Sequence, residues 1–194
     1  MILKALEVEN YRNIPAARFE PGRELTVICG KNGQGKTNLL EAVWLLTGGK
    51  SFRGAKDAEL IRENAGYAVA EGETQGFGKE SRIRVFVGGQ PGARKARTVR
   101  VNGVDYGRAA NAAGTFTAVV FDPGHLSLVK GSPEGRRRFL DAALCQLYPG
   151  YVTLLHNRPV GVHLRQHRYK HTCRCPSGQR TFGHGPATSL PGRV

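Results

Sequence analysis

Eight consecutive residues, Gly30-Lys31-Asn32-Gly33-Gln34-Gly35-Lys36-Thr37, have the spacing G-x-x-x-x-G-K-[ST]. Each fixed position has a chemical reason. Gly30, Gly33 and Gly35 permit a tight wrap that aims backbone N–H groups inward, making a concave anion site together with Lys31, Asn32 and Gln34. Lys36 supplies a cation for β- and γ-phosphates, and the Thr37 hydroxyl is a ligand for a magnesium ion. The run predicts binding of a nucleoside triphosphate, ATP with Mg2+, with Thr37 as the metal ligand.

Hydrolysis asks for more: an acid at a strand end to hold the metal and a group to position water. The only apolar run that ends in an acid is Thr115 to Asp122, and Pro123-Gly124 follows where a second acid is expected. The sequence therefore predicts nucleotide binding with poor turnover, and no catalytic residue is assigned.

A phosphate-binding loop works only between a strand and a helix. Leu25-Thr26-Val27-Ile28-Cys29 is short, apolar and β-branched, and predicts a buried central strand leading into the loop. Thr37 to Leu46 has helical spacing and stops at Gly48-Gly49. Upstream, Leu3 to Asn10 reads as a strand, Tyr11-Arg12-Asn13 as a turn, and Ala17 to Glu20 as a segment closed by Pro21-Gly22. Three runs, Tyr67–Thr74, Arg82–Val87 and Arg97–Val101, predict an antiparallel meander, and Thr115–Phe121 a further buried strand. Ser132-Pro133-Glu134 opens a helix that runs to about Tyr148, with Ser132 at the N-cap.

The net charge of +14 predicts affinity for polyanions. It is unevenly placed: residues 1–156 carry 22 Lys and Arg against 15 Asp and Glu, and residues 157–194 carry 7 against none. Arg94-Lys95-Ala96-Arg97 with Arg100, and Arg136-Arg137-Arg138, are local basic clusters, the latter expected to mix solvated and ion-paired side chains. From Asn157 onward the chain has no periodicity and holds four of the six His, four of the ten Pro and two of the four Cys. That texture predicts a disordered tail, and its abrupt onset reads as translation in a shifted frame. Cys173 and Cys175, with His163, His167 and His171, match no common zinc spacing. Cys29 and Cys145 sit in apolar contexts and are expected as small core residues. No run is long and apolar enough for a membrane span, and the first residues lack the pattern of a signal peptide, so a cytoplasmic protein is expected.

Several blocks resemble the bacterial recombination-repair family RecF: Asn10-Tyr11-Arg12-Asn13; the loop continuing as Asn38-Leu39-Leu40-Glu41-Ala42; Gly48-Gly49-Lys50-Ser51-Phe52-Arg53; Val101-Asn102-Gly103; and Leu128 to Asp141. The likeness runs to His156. It implies an α/β P-loop NTPase of ABC and SMC-head type, incomplete here, with the antiparallel meander beside the nucleotide-binding core. The expected organisation is a partial head over residues 1–156 and a non-family tail over 157–194. The resemblance further implies a protein that dimerises around ATP, binds single-stranded or gapped DNA, meets recombination-mediator proteins, and acts in gap repair and the SOS response. It also implies that Arg12 approaches the nucleotide phosphates. Two alternatives stay open on the residues: an inactive ATP-binding fragment, and a different P-loop enzyme such as a small nucleotide kinase.

Overall fold

The computed structural model describes residues 1–76, 78–88, 96–148 and 150–156. Alternating sequence between tight turns assembles one six-stranded antiparallel sheet, in the order β2-β1-β3-β4-β5-β6. The strands are β1 (Ile2–Tyr11), β2 (Ile14–Phe19), β3 (Ala68–Gly76), β4 (Lys79–Gly88), β5 (Ala96–Val101) and β6 (Val104–Arg108). Each of the three predicted meander strands is present. They form one continuous sheet with β1 and β2, so the meander is part of the main sheet. The strand β6 was not expected; Asn102 and Gly103, both at positive φ, turn the chain so that Val101 pairs with Val104.

Period-two alternation decides what the sheet buries. Leu6, Val8, Ala70, Ile83, Val85, Val87, Val99 and Val101 point to one face, and there they meet Ala42, Leu45 and Leu46 at the end of the helix α1 (Lys36–Leu45), with Leu60. Gly72 lies under this contact: a Cβ there would stand 2.3 Å from Leu46 Cδ1, so the glycine lets the helix end approach the sheet. The opposite face is charged. Glu7 pairs with Arg18, Glu73 with Arg82, and Glu71 with Arg84, each between residues directly opposite in the ladder.

Two expected central strands are corrected. Leu25–Cys29 is in no strand; Leu25 is 81% and Val27 71% exposed, and Cys29 is exposed rather than a core cysteine. Thr115–Phe121 is likewise in no strand: Phe116 joins the core, whereas Val119 is 91% and Phe121 83% exposed. An apolar β-branched run predicts that a segment suits a sheet, but a strand exists only where a neighbour pairs its N–H and C=O groups. Among the described residues neither segment has such a neighbour.

Downstream come a short helix α2 (Ser127–Lys130), then α3 (Pro133–Leu147) and α4 (Tyr151–His156). Ser132 occupies the N-cap position of α3 as expected, though its side chain makes no cap hydrogen bond. Of the arginine cluster, Arg138 pairs with Glu134, and Arg136 donates to the Leu128 and Gly131 carbonyls. Cys145 is half-buried, and burial together with the nearby Asp141 charge raises its thiol pKa. Residues 157–194, with their expected disorder and their Cys and His residues, lie outside the described residues, as do Arg94 and Lys95.

Candidate functional site

The loop takes the shape its glycines predict. Gly30, Gly33 and Gly35 have φ of 151°, 80° and 90°. At Gly35 the positive φ and crowding act together, because an added Cβ would lie 2.9 Å from Asn13 Oδ1 and 3.2 Å from Ile14. Lys36 folds over the loop and its ammonium donates to the Gly30 and Lys31 carbonyls, both at 2.6 Å. Lys31, Asn32, Gln34 and Thr37 are exposed around it. The following helix α1 has no side-chain N-cap bond and no acid in its first turn. Its N-terminal N–H groups and positive dipole end are thus left to the loop concavity.

The turn between β1 and β2 is laid against this loop. Asn13 Nδ2 donates to the Gly33 carbonyl at 2.8 Å, and Asn38 Nδ2, in the first turn of α1, donates to Asn13 Oδ1 at 2.7 Å. Arg12, at φ 54°, holds a backbone conformation uncommon outside glycine. Two bonds fasten the turn to the segment around Ile61: Arg12 N–H to the Leu60 carbonyl and Arg62 N–H to the Asn10 carbonyl, which together make an isolated antiparallel bridge between Tyr11 and Ile61.

Beneath the turn lies a carboxylate that sequence reasoning missed. Glu41 on α1 is fully buried and receives a two-pronged contact from Arg12: Nε to Oε2 at 2.7 Å and Nη2 to Oε1 at 2.9 Å. Ser51 Oγ also donates to Glu41 Oε1, and Arg53 Nη1 stands 3.9 Å from Oε2. Arg53 Nη1 in turn donates to Asn38 Oδ1 at 2.8 Å, and Ser51 Oγ accepts the backbone N–H groups of Arg53 and Ala55.

The electrostatics follow from burial and partners. Burial alone would raise the Glu41 carboxyl, but the hydrogen bonds from Arg12 and Ser51 and the charges of Arg12 and Arg53 outweigh it and hold the carboxyl below its usual range. The Arg12 guanidinium is pushed up, chiefly by its hydrogen bond to Glu41. Tyr11, buried beside the pair, has its phenol raised by desolvation and then by the Glu41 charge. The signal that could have exposed Glu41 was a lone acid inside Leu39-Leu40-Glu41-Ala42-Val43, since an acid on a buried helix face requires a cationic partner.

Above the turn opens a polar cleft of about 610 Å³, lined by Arg12, Asn13, Asn38 and Arg53 on one side and by Glu59, Ile61, Arg62, Glu63 and Asn64 on the other. Three arginines thus border a cleft whose inner wall carries Asn13 and Asn38, the residues tied to the loop. Arg97 and Arg100, named from sequence as part of a local basic cluster, are each beside an acid: Arg97 Nε lies 2.8 Å from Asp57 Oδ1, and Arg100 Nε 3.6 Å from Asp105 Oδ2. Asp122 lies on the unpaired 115–122 segment and accepts the Gly124 N–H. Among the described residues no group of three or more His, Cys, Asp and Glu could hold a metal ion.

The donor set fits a bound triphosphate: three positive-φ glycines, an uncapped helix start and a lysine over the loop are what polyphosphate needs. It fits Mg2+ through the Thr37 hydroxyl, because that ion keeps several waters and takes few protein ligands when phosphates supply the rest.

Residues 2–127 match the RecF/RecN/SMC N terminal domain family. The chain is 39% identical over 152 residues to the DNA replication and repair protein RecF of Staphylococcus carnosus, covering 78% of this chain and 40% of that protein. To the RecF of Clostridioides difficile it is 35% identical over 157 residues, covering 81% and 41%. Among solved structures it is similar to the recombination mediator protein RecF-ATP in the RecFOR pathway, with a TM-score of 0.72 and 31% identity over 80% of this chain and 41% of that one. A second solved structure, of the recombination mediator protein RecF-ATPrS, gives a TM-score of 0.71 at 32% identity over 79% of this chain and 41% of that one. The chain therefore spans about two-fifths of the length of the relatives it matches. Its fold is that of a P-loop NTPase of ABC and SMC-head type, represented by the antiparallel sheet and the loop–helix unit.

Proposed function

Because the chain belongs to the RecF/RecN/SMC family, we propose that it is an ATP-binding DNA replication and repair protein of RecF type, with Gly30 to Thr37 as the phosphate site. The observation that carries this reading is the loop itself, with glycines at positive φ, Lys36 folded over the carbonyls of Gly30 and Lys31, and the uncapped start of α1 facing the same concavity. Its N–H groups bind the phosphates, Lys36 exchanges two carbonyl contacts for phosphate oxygens, and Thr37 offers its hydroxyl to Mg2+. Arg12, at the rim, adds a guanidinium toward the phosphates, and the adjoining polar cleft has room for the nucleoside. When bound, Mg2+ neutralises phosphate charge.

The wider role in this reading is binding of single-stranded or gapped DNA in recombinational gap repair and the SOS response, in the cytoplasm, with recombination-mediator proteins as partners and an ATP-dependent dimer as the assembled state. It is supported by the RecF names of the relatives and by the net charge of +14. No helix among the described residues is long and apolar enough to cross a membrane.

The test is an equilibrium ATP titration with and without Mg2+. Lys36→Ala is expected to weaken binding about a hundredfold or more, since two charge-assisted contacts go together. Thr37→Ala is expected to remove mainly the Mg2+-dependent part. Unchanged ATP affinity in Lys36→Ala would overturn the assignment of the loop.

A further inference from the structure

We propose that Glu41 is a positioning residue for the nucleotide, acting through Arg12 even though its carboxylate is sealed from the site. The inference rests on the ATP-binding reading above and adds to it a buried residue that sets the geometry of the loop's rim.

Glu41 is a charge in an unfavourable place. A carboxylate with no exposure carries a large desolvation penalty, and a well-packed apolar residue at such a position is often as stable or more so. The geometry around Glu41 gives a reason for the charge to be there. Its two oxygens grip Nε and Nη2 of Arg12, which fixes the plane and rotation of the guanidinium and leaves Nη1 outside the fork. Arg12 is also the residue of the turn that sits at φ 54°, an arrangement of the kind that persists when its surroundings over-determine it.

The contacts continue into a closed circuit. From Glu41 the path runs through Arg12 along the backbone to Asn13, whose side chain holds the Gly33 carbonyl of the loop. It returns from Asn13 through Asn38 and Arg53 to Glu41. Ser51 closes the lower side by donating to Glu41 while accepting the Arg53 and Ala55 N–H groups. Every member is thus held by at least one other, and the circuit ends on a carbonyl of the phosphate loop itself. Such a network holds the cation and the loop in one relative placement before ligand arrives, so less ordering is left to do on binding.

Charge and position make opposite predictions, and that opposition supplies the test. Acting only as a charge, Glu41 would repel a polyanion, and Glu41→Gln would tighten ATP binding. Acting by position, the neutral variant loses the grip on Arg12 and binds ATP roughly tenfold more weakly, the equivalent of one charge-assisted hydrogen bond. The experiment is an ATP titration of the full chain as wild type, Glu41→Gln, Arg12→Lys and the double variant, with thermal melting of each without nucleotide. Arg12→Lys keeps the charge but cannot form the fork, and it is expected to lose about as much as Glu41→Gln. The double variant is expected to lose little beyond either single one, because both act on one element.

Tighter or unchanged ATP binding in a folded Glu41→Gln overturns the proposal, as does a double variant whose losses add. A lower melting midpoint with unchanged ATP affinity shows a purely structural ion pair and overturns it too. If Glu41→Gln does not fold, Glu41→Asp decides, because it leaves Arg12 intact but is too short to keep both contacts: unchanged affinity there overturns the proposal and a tenfold loss sustains it. Should the wild type bind ATP in a Lys36-dependent manner while these variants match it, only this inference falls. Absence of ATP binding in the wild type overturns both readings.

Discussion

The sheet and the two segments Leu25–Cys29 and Thr115–Phe121 are written in the same residue types, yet the fold treats them differently. In β3 and β4 alternate residues such as Ala70, Ile83, Val85 and Val87 are sealed in the core, and each strand has a partner on both sides. In the two segments, residues of equal apolarity such as Val27 and Val119 are mostly in contact with solvent. The difference is not one of propensity. β1 and β2, and then β3 to β6, are joined by short connections that bring each beside the next, while β1 pairs with β3 across the loop–helix unit. Leu25–Cys29 follows β2 and Thr115–Phe121 follows β6, yet neither turns back to pair with the strand before it. Apolarity supplies the tendency, and a hydrogen-bonding neighbour supplies the strand.

The largest effects that could break this comparison are in the core. Leu6→Ala or Ile83→Ala, both at fully buried positions, is expected to lower unfolding stability by about 3 kcal/mol through lost burial and a residual cavity. Val27→Ala is expected to stay within about 0.5 kcal/mol. Urea midpoints with unchanged slopes measure both, and a loss at Val27 as large as at Leu6 would mean that the loop-leading segment is packed after all.

A smaller effect separates the buried ion pair from the exposed ladder. The Glu41 carboxyl is held below its ordinary value, so its contribution is fully present above about pH 4.3 and is lost as pH falls through the lower folded value. Stability measured from pH 7 to pH 3 should fall more steeply in wild type than in Glu41→Gln. Arg84→Ala, which takes a half-exposed partner from Glu71, should leave that slope nearly unchanged. Identical slopes in wild type and Glu41→Gln would show that Glu41 is not coupled to folding.

The smallest effect on stability is expected at the exposed segments, where the readout is solubility. Val119→Lys with Phe121→Lys should reduce dye binding to apolar surface and slow aggregation, with stability unchanged within about 0.5 kcal/mol. A large loss of stability would show that Phe121 packs against something the exposed position does not reveal.

Much of the site was legible because its determinants are local. The loop needs glycines three and two residues apart and a lysine beside the last of them, and all of these lie within eight consecutive positions. The meander was legible for the same reason, through alternation broken by turn residues. Glu41, Ser51 and Arg53 were not: they matter through one another and through Arg12, which precedes Glu41 by 29 positions. Their residue types are ordinary and only their meeting is informative.

What the sequence by itself determined was the set of short-range commitments: where the chain turns, which face of each meander strand is apolar, and where backbone N–H groups gather ahead of α1. Only the tertiary structure decided which apolar runs became strands, which carboxylate was sealed inside, and which arginine gripped it. The physical reason is that dihedral preference, turn chemistry and side-chain period act over a few residues. Pairing and burial are decided instead by neighbours far along the chain. Val85 and Val119 are the same residue in apolar, strand-like surroundings. One faces Val99 across a ladder and is fully buried, and the other has no strand beside it and is 91% exposed.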